Sequence, residues 1–144
     1  MVTTEQDVVD VIDMLVRLAD DMGLQELPGI GATIETPAAA LSIPTLKQYV
    51  DFFSIGSNDL TQYTMAAGRE NSLVSQYFVE NHPAVFRLID LVASEAGATP
   101  VSICGELAGR IDTLPRLLAS GINILSVPAA SVPSVKAALC GRPI

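Results

Sequence analysis

Glu35, Asn58, Asp59, Arg69 and Cys104 are the residues of this chain whose types and placement offer chemistry. Glu35 and Asp59 are carboxylates with no clustered His or Cys, a donor set that suits a hard cation. Mg²⁺ is typically held by one or two carboxylates, with water and substrate phosphate completing about six ligands. Asn58 and Asp59 follow the β-favouring run 51–55 and a break at Gly56, so a strand delivers both to its own carboxyl end. The planar guanidinium of Arg69 matches phosphate oxygens in pairs. Cys104 ends a second β-favouring run, and a thiol at the mouth of a helix can take part in proton transfer. Each residue also has a plainer reading. Gly, Ser, Asn and Asp make turns and caps, acids favour helix N-termini, a lone Cys packs as a small core residue, and a loop Arg is solvated. The single histidine, His82, precedes Pro83 and is read as a helix cap, not a catalyst.

These side chains need strands to carry them. Thr3 with Gln6 has the form of a capping box, and Val8, Val11, Ile12, Leu15, Leu18 and Met22 recur at helical spacing until Gly23. Pro28 and Gly29 break the chain before a short strand over 30–34 that ends at Glu35. Pro37 starts an Ala-rich helix, which Pro44 splits in two. A helix is predicted over 60–67, and 68–81, the longest poorly periodic stretch, is read as a loop over the site that carries Arg69. Pro83 opens a helix with Val85, Leu88, Ile89, Val92 and Ala96 on one face. A strand over 101–104 follows, then a helix with Asp112 as its cap, a strand over 122–127, and a helix capped by Ser131 that runs to Leu139.

Strands alternating with helices at this spacing imply an α/β fold, with a parallel sheet and right-handed crossovers. Residues 1–144 are read as a single domain of about four such units, either half of an eight-stranded barrel or a small open sheet. In both, Glu35, Asn58 with Asp59, and Cys104 fall on one rim, beyond the strand carboxyl ends where α/β folds bind ligands.

Composition narrows the partners. Eight basic against sixteen acidic residues give a net charge of −8, the wrong sign for a protein that lives on nucleic acid or anionic lipid. An anionic ligand would need a metal or a few well-placed arginines. With no basic start before an apolar run and no long apolar stretch, the expectation is a cytoplasmic protein without membrane insertion. Cys104 and Cys140 have no metal-like spacing, so no disulfide framework is expected. Hydrophobic residues make up 49% but aromatics only 5%. That aliphatic surplus fits parallel strands covered on both faces, or a piece whose missing partner covers an apolar face.

The segments GATIETPAAAL, DFFSIGSNDLTQYT, the later Arg69, NHPAVFRLIDLV and SICGELAGR, in that order, resemble the carboxyl-terminal part of enzyme I of the bacterial phosphotransferase system. Enzyme I is phosphoenolpyruvate-protein phosphotransferase, in a wider group with pyruvate phosphate dikinase and phosphoenolpyruvate synthase. The resemblance runs from Gly29 to Val127, and NHPAVFRLI favours enzyme I within the group. It implies the second half of a TIM-type (β/α)8 barrel, with Glu35 and Asp59 as magnesium ligands. It further implies Asn58 with Asp59 as the phosphoenolpyruvate-binding pair, Arg69 as a loop arginine touching substrate, and Cys104 as the donor that protonates the methylene carbon of enolpyruvate. The implied parent transfers phosphate from phosphoenolpyruvate, leaving pyruvate, to a histidine on a separate amino-terminal domain, and on to a phosphocarrier protein for sugar uptake. His82 does not match that histidine.

Gly68 stands where family members commonly carry Asp, and Arg110 where they carry an acidic residue. Gly68 is expected to loosen the Arg69 loop, and Arg110 to add positive charge near the rim as a contact for substrate or an effector. The arginines that the family's first four strands supply have no counterpart, so the chain is read as an excised or truncated half barrel, inactive alone. Two alternatives stand beside this reading. One is a non-catalytic module that forms a homo-oligomer or binds a partner through an open apolar face. The other is a fragment of a synthase- or dikinase-type magnesium enzyme.

Overall fold

The computed structural model describes residues 1–141. Helix α1 spans Glu5–Met22 and is followed by strand β1, Gly31–Ile34, and two short helices, α2 at Pro37–Leu41 and α3 at Ile43–Leu46. Next come β2, Phe52–Gly56; α4, Ser57–Met65; α5, Pro83–Ala96; and β3, Val101–Cys104. Helices α6, Glu106–Gly109, and α7, Leu114–Ala119, lead to β4, Ile124–Leu125, and to α8, Val132–Leu139. The break between α2 and α3 falls at Ser42, two residues before Pro44, as the proline requires.

The four strands form one parallel sheet in chain order, an arrangement consistent with part of a (β/α) barrel. Register explains the core. Ala32, Phe53 and Val101 lie side by side in one row, and Ile34, Ile55, Ile103 and Leu125 in the next. Side chains alternate between faces with a period of two, so both rows point to the same face. Val85, Phe86, Ile89, Val92 and Ala96 of α5 and Leu60 of α4 belong to the same buried cluster. The α5 stripe matches expectation except that Phe86 is buried and Leu88 only partly so.

The opposite face is not the apolar interior expected from composition. Thr33, Ser54, Ser102 and Ile124 form its central row, with Gly31 and Phe52 beside it. Only Phe52 and Ile124 are large apolar residues there, so the aliphatic surplus went elsewhere. Much of it lies on α1, which buries only Val8 and Ala19 and leaves Val11, Met14, Leu18 and Met22 about half exposed or more (51, 57, 48 and 71%). That helix lies beside α3 and borders a 260 Å³ cavity along β1. Its cap is shifted one residue from the expected pair. Thr4 is the N-cap, and the Asp7 carboxylate accepts from the Thr3 and Thr4 N–H groups at 2.9 and 2.7 Å. Those N–H groups hold the Asp7 carboxyl below its ordinary range.

Other boundaries also differ. β4 is two residues long instead of six, because its pairing with β3 is limited to Ser102↔Ile124 and Ile103↔Leu125. Ser126 N–H donates to the Ile103 carbonyl at 2.8 Å just beyond it. Thr113, not Asp112, is the N-cap of α7, since Asp112 is engaged by Arg110. Ser131 is the N-cap of α8 as read from sequence.

One corner sets the geometry at the top of the sheet. Between β3 and α6, Gly105 has φ +90°, and a Cβ there would stand 2.3 Å from Ser57 Oγ and 2.7 Å from Asn58 Oδ1. Both the backbone and the neighbouring corner between β2 and α4 therefore demand glycine. Gly105→Ala should cost about 3 kcal/mol from strain and overlap together, lowering Tm by roughly 10 °C. Gly109→Ala, where the added carbon meets nothing within 4 Å, serves as the control and should leave Tm unchanged. Equal melting of the two variants would show that the corner tolerates a side chain.

Candidate functional site

Helix α4 starts directly from β2, with Gly56 as N-cap and Ser57, Asn58 and Asp59 as its first turn. The sequence reading placed the helix start at Leu60. The structure moves it back because the turn is closed at Gly56 itself, so the polar pair sits on a helix N-terminus whose free N–H groups favour negative charge. Glu106 N–H donates to Asn58 Oδ1 at 2.9 Å. That bond identifies the oxygen end of the amide, which leaves the NH₂ as the end turned away from α6.

Cys104 lies level with Gly56 in the register, half-buried at the end of β3. Its Sγ donates to the Ile55 carbonyl at 3.5 Å and accepts from Ser54 Oγ at 3.9 Å. The first contact is one that only a protonated thiol makes. Glu35, just past β1, lies against the same corner. A Cβ at Gly56 would stand 3.1 Å from Glu35 Cβ and 3.3 Å from Glu35 Oε2. The carboxylate therefore reaches the residue that begins the Asn58 and Asp59 turn.

Two clefts meet at Asn58. The larger, 720 Å³, is bordered by Asn58, Cys104, Gly105, Glu106 and Arg110, with Ser126 on the far side. The smaller, 320 Å³, is bordered by Asn58, Asp59, Gly68, Arg69 and Phe78. Asn58, Asp59 and Arg69 thus border the smaller cleft and Cys104 the larger, with Asn58 common to both. Glu35 lines neither cleft; it borders the cavity beneath α1 and approaches the others only across Gly56. Among the described residues no group of three or more His, Cys, Asp or Glu side chains gathers to hold a metal. The two carboxylates expected to share a cation border different cavities, Glu35 the one beneath α1 and Asp59 the smaller cleft.

The arginines already have partners. Arg69 Nη1 stands 3.3 Å from Glu106 Oε1, with both side chains at least half exposed. Arg110 grips Asp112 with one edge of its guanidinium, Nη2 to Oδ2 at 2.6 Å and Nε to Oδ1 at 3.1 Å, and its Nη1 reaches Glu80 at 3.6 Å. The Asp112 carboxyl is held below its ordinary range by Arg110. Glu80 moves the other way. Burial pushes its carboxyl up, the Glu106 carboxylate adds to the effect, and Arg110 and Arg69 oppose it. Arg110 borders the larger cleft, as its position suggested, but its charge is engaged within the protein.

Sequence reasoning missed Glu106 and Glu80 as parts of the site. Glu106 had a signal, standing in the Cys-Gly-Glu run directly after the candidate thiol, whereas nothing in the loop sequence singled out Glu80. His82 caps α5 as expected, its Nδ1 accepting from Ala84 N–H at 3.1 Å. Cys104 and Cys140 are both free thiols. Among the described residues no helix is long and apolar enough to cross a membrane.

The family described as PEP-utilising enzyme, PEP-binding domain, matches residues 1–142. A phosphoenolpyruvate-protein phosphotransferase of Haloferax volcanii is 47% identical over 116 residues, 79% of this chain and 20% of the relative. A protein of the same name from Mycoplasma genitalium is 40% identical over 134 residues, 92% of this chain and 23% of the relative. A probable phosphoenolpyruvate synthase of Methanocaldococcus jannaschii is 36% identical over 132 residues, 88% of this chain and 11% of the relative. The chain spans no more than about a quarter of the length of these relatives. With the match running almost end to end, and with Asn58, Asp59, Arg69 and Cys104 gathered at one end of its parallel sheet, the chain belongs to the PEP-utilising enzymes and carries their PEP-binding domain.

Proposed function

We propose that this chain is the PEP-binding segment of a phosphoenolpyruvate-protein phosphotransferase of the enzyme I type, forming the second half of a (β/α)8 barrel. The observation that carries the reading is the meeting of Asn58, Asp59, Arg69 and Cys104 around two clefts that share Asn58. In this reading Asn58 and the first turn of α4 bind the substrate, and Arg69 leaves Glu106 to pair with phosphate through its fork. The phosphoryl group passes from the enol oxygen to a histidine nitrogen on an amino-terminal domain, and from there to a phosphocarrier protein that serves sugar uptake. The enolate left behind takes a proton at its methylene carbon from Cys104 Sγ and becomes pyruvate. Glu35 and Asp59 are the residues that would hold Mg²⁺. Bound there, the ion offsets the charge of a trianionic substrate in an acidic protein. The chain alone lacks the phosphoryl-accepting histidine, so we expect it to bind substrate without completing transfer.

The similarity to a phosphoenolpyruvate synthase favours a second reading, the same segment in an enzyme that makes or uses phosphoenolpyruvate without a protein acceptor. Histidine phosphorylation of a phosphocarrier protein by the full-length gene product separates the two.

Titration of the chain with phosphoenolpyruvate should give binding that depends on Mg²⁺, and Arg69→Ala should weaken it by about 10- to 100-fold, the cost of losing hydrogen bonds between charged groups. Cys104→Ser should bind within about twofold of the unaltered chain, since a proton donor adds little to ground-state affinity. Binding that ignores both chelator and Arg69→Ala would sink the assignment. The apolar stripe on α1 leads us to expect a homo-oligomer in solution. Light scattering should give a mass above the 15.2 kDa of one chain, and Leu18→Glu should reduce it to that value. A monomer before substitution would count against self-association.

A further inference from the structure

The segment between α4 and α5 carries Arg69, yet it has almost nothing to hold it down. It leaves α4 at Ala66, in the left-handed conformation, and makes a turn from Gly68 to Asn71 and one short 3₁₀ turn over Ser75–Tyr77. Of its large apolar side chains, Leu73 is 82% exposed and Tyr77 57%, and Val74 and Phe78 are only half-buried. Between Gly68 and Asn81 the one buried side chain is Glu80, at 9% exposure. A segment with no fully buried apolar anchor depends on polar contacts for its placement.

Those contacts all run to α6 and the residues after it. Arg69 pairs with Glu106 at the first turn of α6, and Glu80 pairs with Arg110 at its C-cap. Asp112 braces the other edge of the Arg110 guanidinium, so that Nη1 faces Glu80. The charged groups around Glu80 are Arg110 and Glu106 from the α6 side and Arg69 from its own segment. Among the described residues Glu80 Oε1 has no hydrogen-bond partner, so its neighbour Oε2, facing Arg110, makes the contact that fixes the side chain.

We propose that Glu80 and Arg110 form a clamp that holds the Arg69-bearing segment against α6, and that both are positioning residues acting on substrate through Arg69. The clamp rests on the reading of this site as one for phosphoenolpyruvate only in its second half; the holding of the segment stands without it. Arg69–Glu106 is exposed and weak, and an incoming phosphate must displace it. Glu80–Arg110 is the more sheltered pair and borders the cleft without occupying it. It keeps the segment in place while Arg69 changes partner.

The fold and the clamp respond to Glu80 in opposite directions. Its carboxyl is raised above the ordinary 4.5, so the folded state favours the protonated form. Its contribution to stability is therefore fully present below the ordinary value and is lost as pH rises through the folded one. At neutral pH Glu80→Gln should loosen the segment without lowering the unfolding midpoint, a combination that a purely structural role would not produce.

Amide exchange on the full chain tests the holding. In Glu80→Gln and in Arg110→Gln, amides of residues 68–82 should exchange about tenfold faster, with β2 and β3 unchanged. The double variant should be no faster than the faster single one, because both remove the same pair. Wild-type rates in both single variants overturn the clamp. So does acceleration that spreads through β2 and β3 with a lower midpoint, or additive effects in the double variant. Should Glu80→Gln fail to fold, Arg110→Gln alone reads the same pair. Calorimetry with phosphoenolpyruvate and Mg²⁺ tests the action through Arg69. Glu80→Gln should weaken binding about tenfold in the unaltered chain and not at all in Arg69→Ala. Equal weakening in both backgrounds overturns that step. No binding by the unaltered chain would overturn the substrate reading itself, while the exchange rates still decide the clamp.

Discussion

The parallel register that sets Gly56 level with Cys104 is the constraint from which the site follows. It ends β2 and β3 at the same height, so the turn into α4 and the turn into α6 are pressed together. Gly105 has no side chain because Ser57 and Asn58 already fill that space. The contact becomes directional through one hydrogen bond, from Glu106 N–H to Asn58 Oδ1. Asn58 therefore has one orientation, fixed by the backbone of a neighbouring strand-to-helix corner. A one-residue slip of β3 would turn Cys104 to the helix side of the sheet and remove the thiol from the cleft.

Charge is the second constraint. The chain is acidic, and its two candidate clefts have Asp59 in the wall of the smaller, Glu106 in that of the larger and, across Gly56, Glu35. Its nearest guanidinium groups are matched to carboxylates before any ligand arrives. Such an arrangement keeps an unliganded arginine from drifting, and an anion reaching either guanidinium would have to exchange with its carboxylate partner instead of filling a free positive patch. The two exchanges differ in cost. Arg69–Glu106 is open to water, where release is cheap. Arg110 is chelated by Asp112 and faces a sheltered carboxylate, so it is the worse candidate for contact with substrate despite its place beside the cleft.

The site was legible in the sequence because strand ends announce themselves locally. Gly56 followed by Ser, Asn and Asp, and a β-favouring run ending in Cys-Gly-Glu, mark the points where strands hand over to helices. Parallel topology then places those points on one rim without any knowledge of packing. What sequence could not give was long-range. The Glu80–Arg110 pair joins residues far apart in the chain, and neither belongs to a periodic pattern. The helix start at Ser57 was missed because Ser, Asn and Asp have low intrinsic helix preference, and here the close strand-to-helix corner overrides it. The open face of the sheet was misjudged for a related reason. Its small and polar residues alternate with the aliphatic ones, and bulk composition averages the two faces together.

That polar face bears on the chemistry of the thiol. Ser54 and Cys104 lie on it as neighbours, with Ser102 alongside donating to the Phe53 carbonyl. Cys104 is thus flanked by an acceptor and a donor: the Ile55 carbonyl receives its proton, and the Ser54 hydroxyl points at its sulfur. Both contacts come from β2, so the position of the thiol at the end of β3 is set by the neighbouring strand through the parallel register.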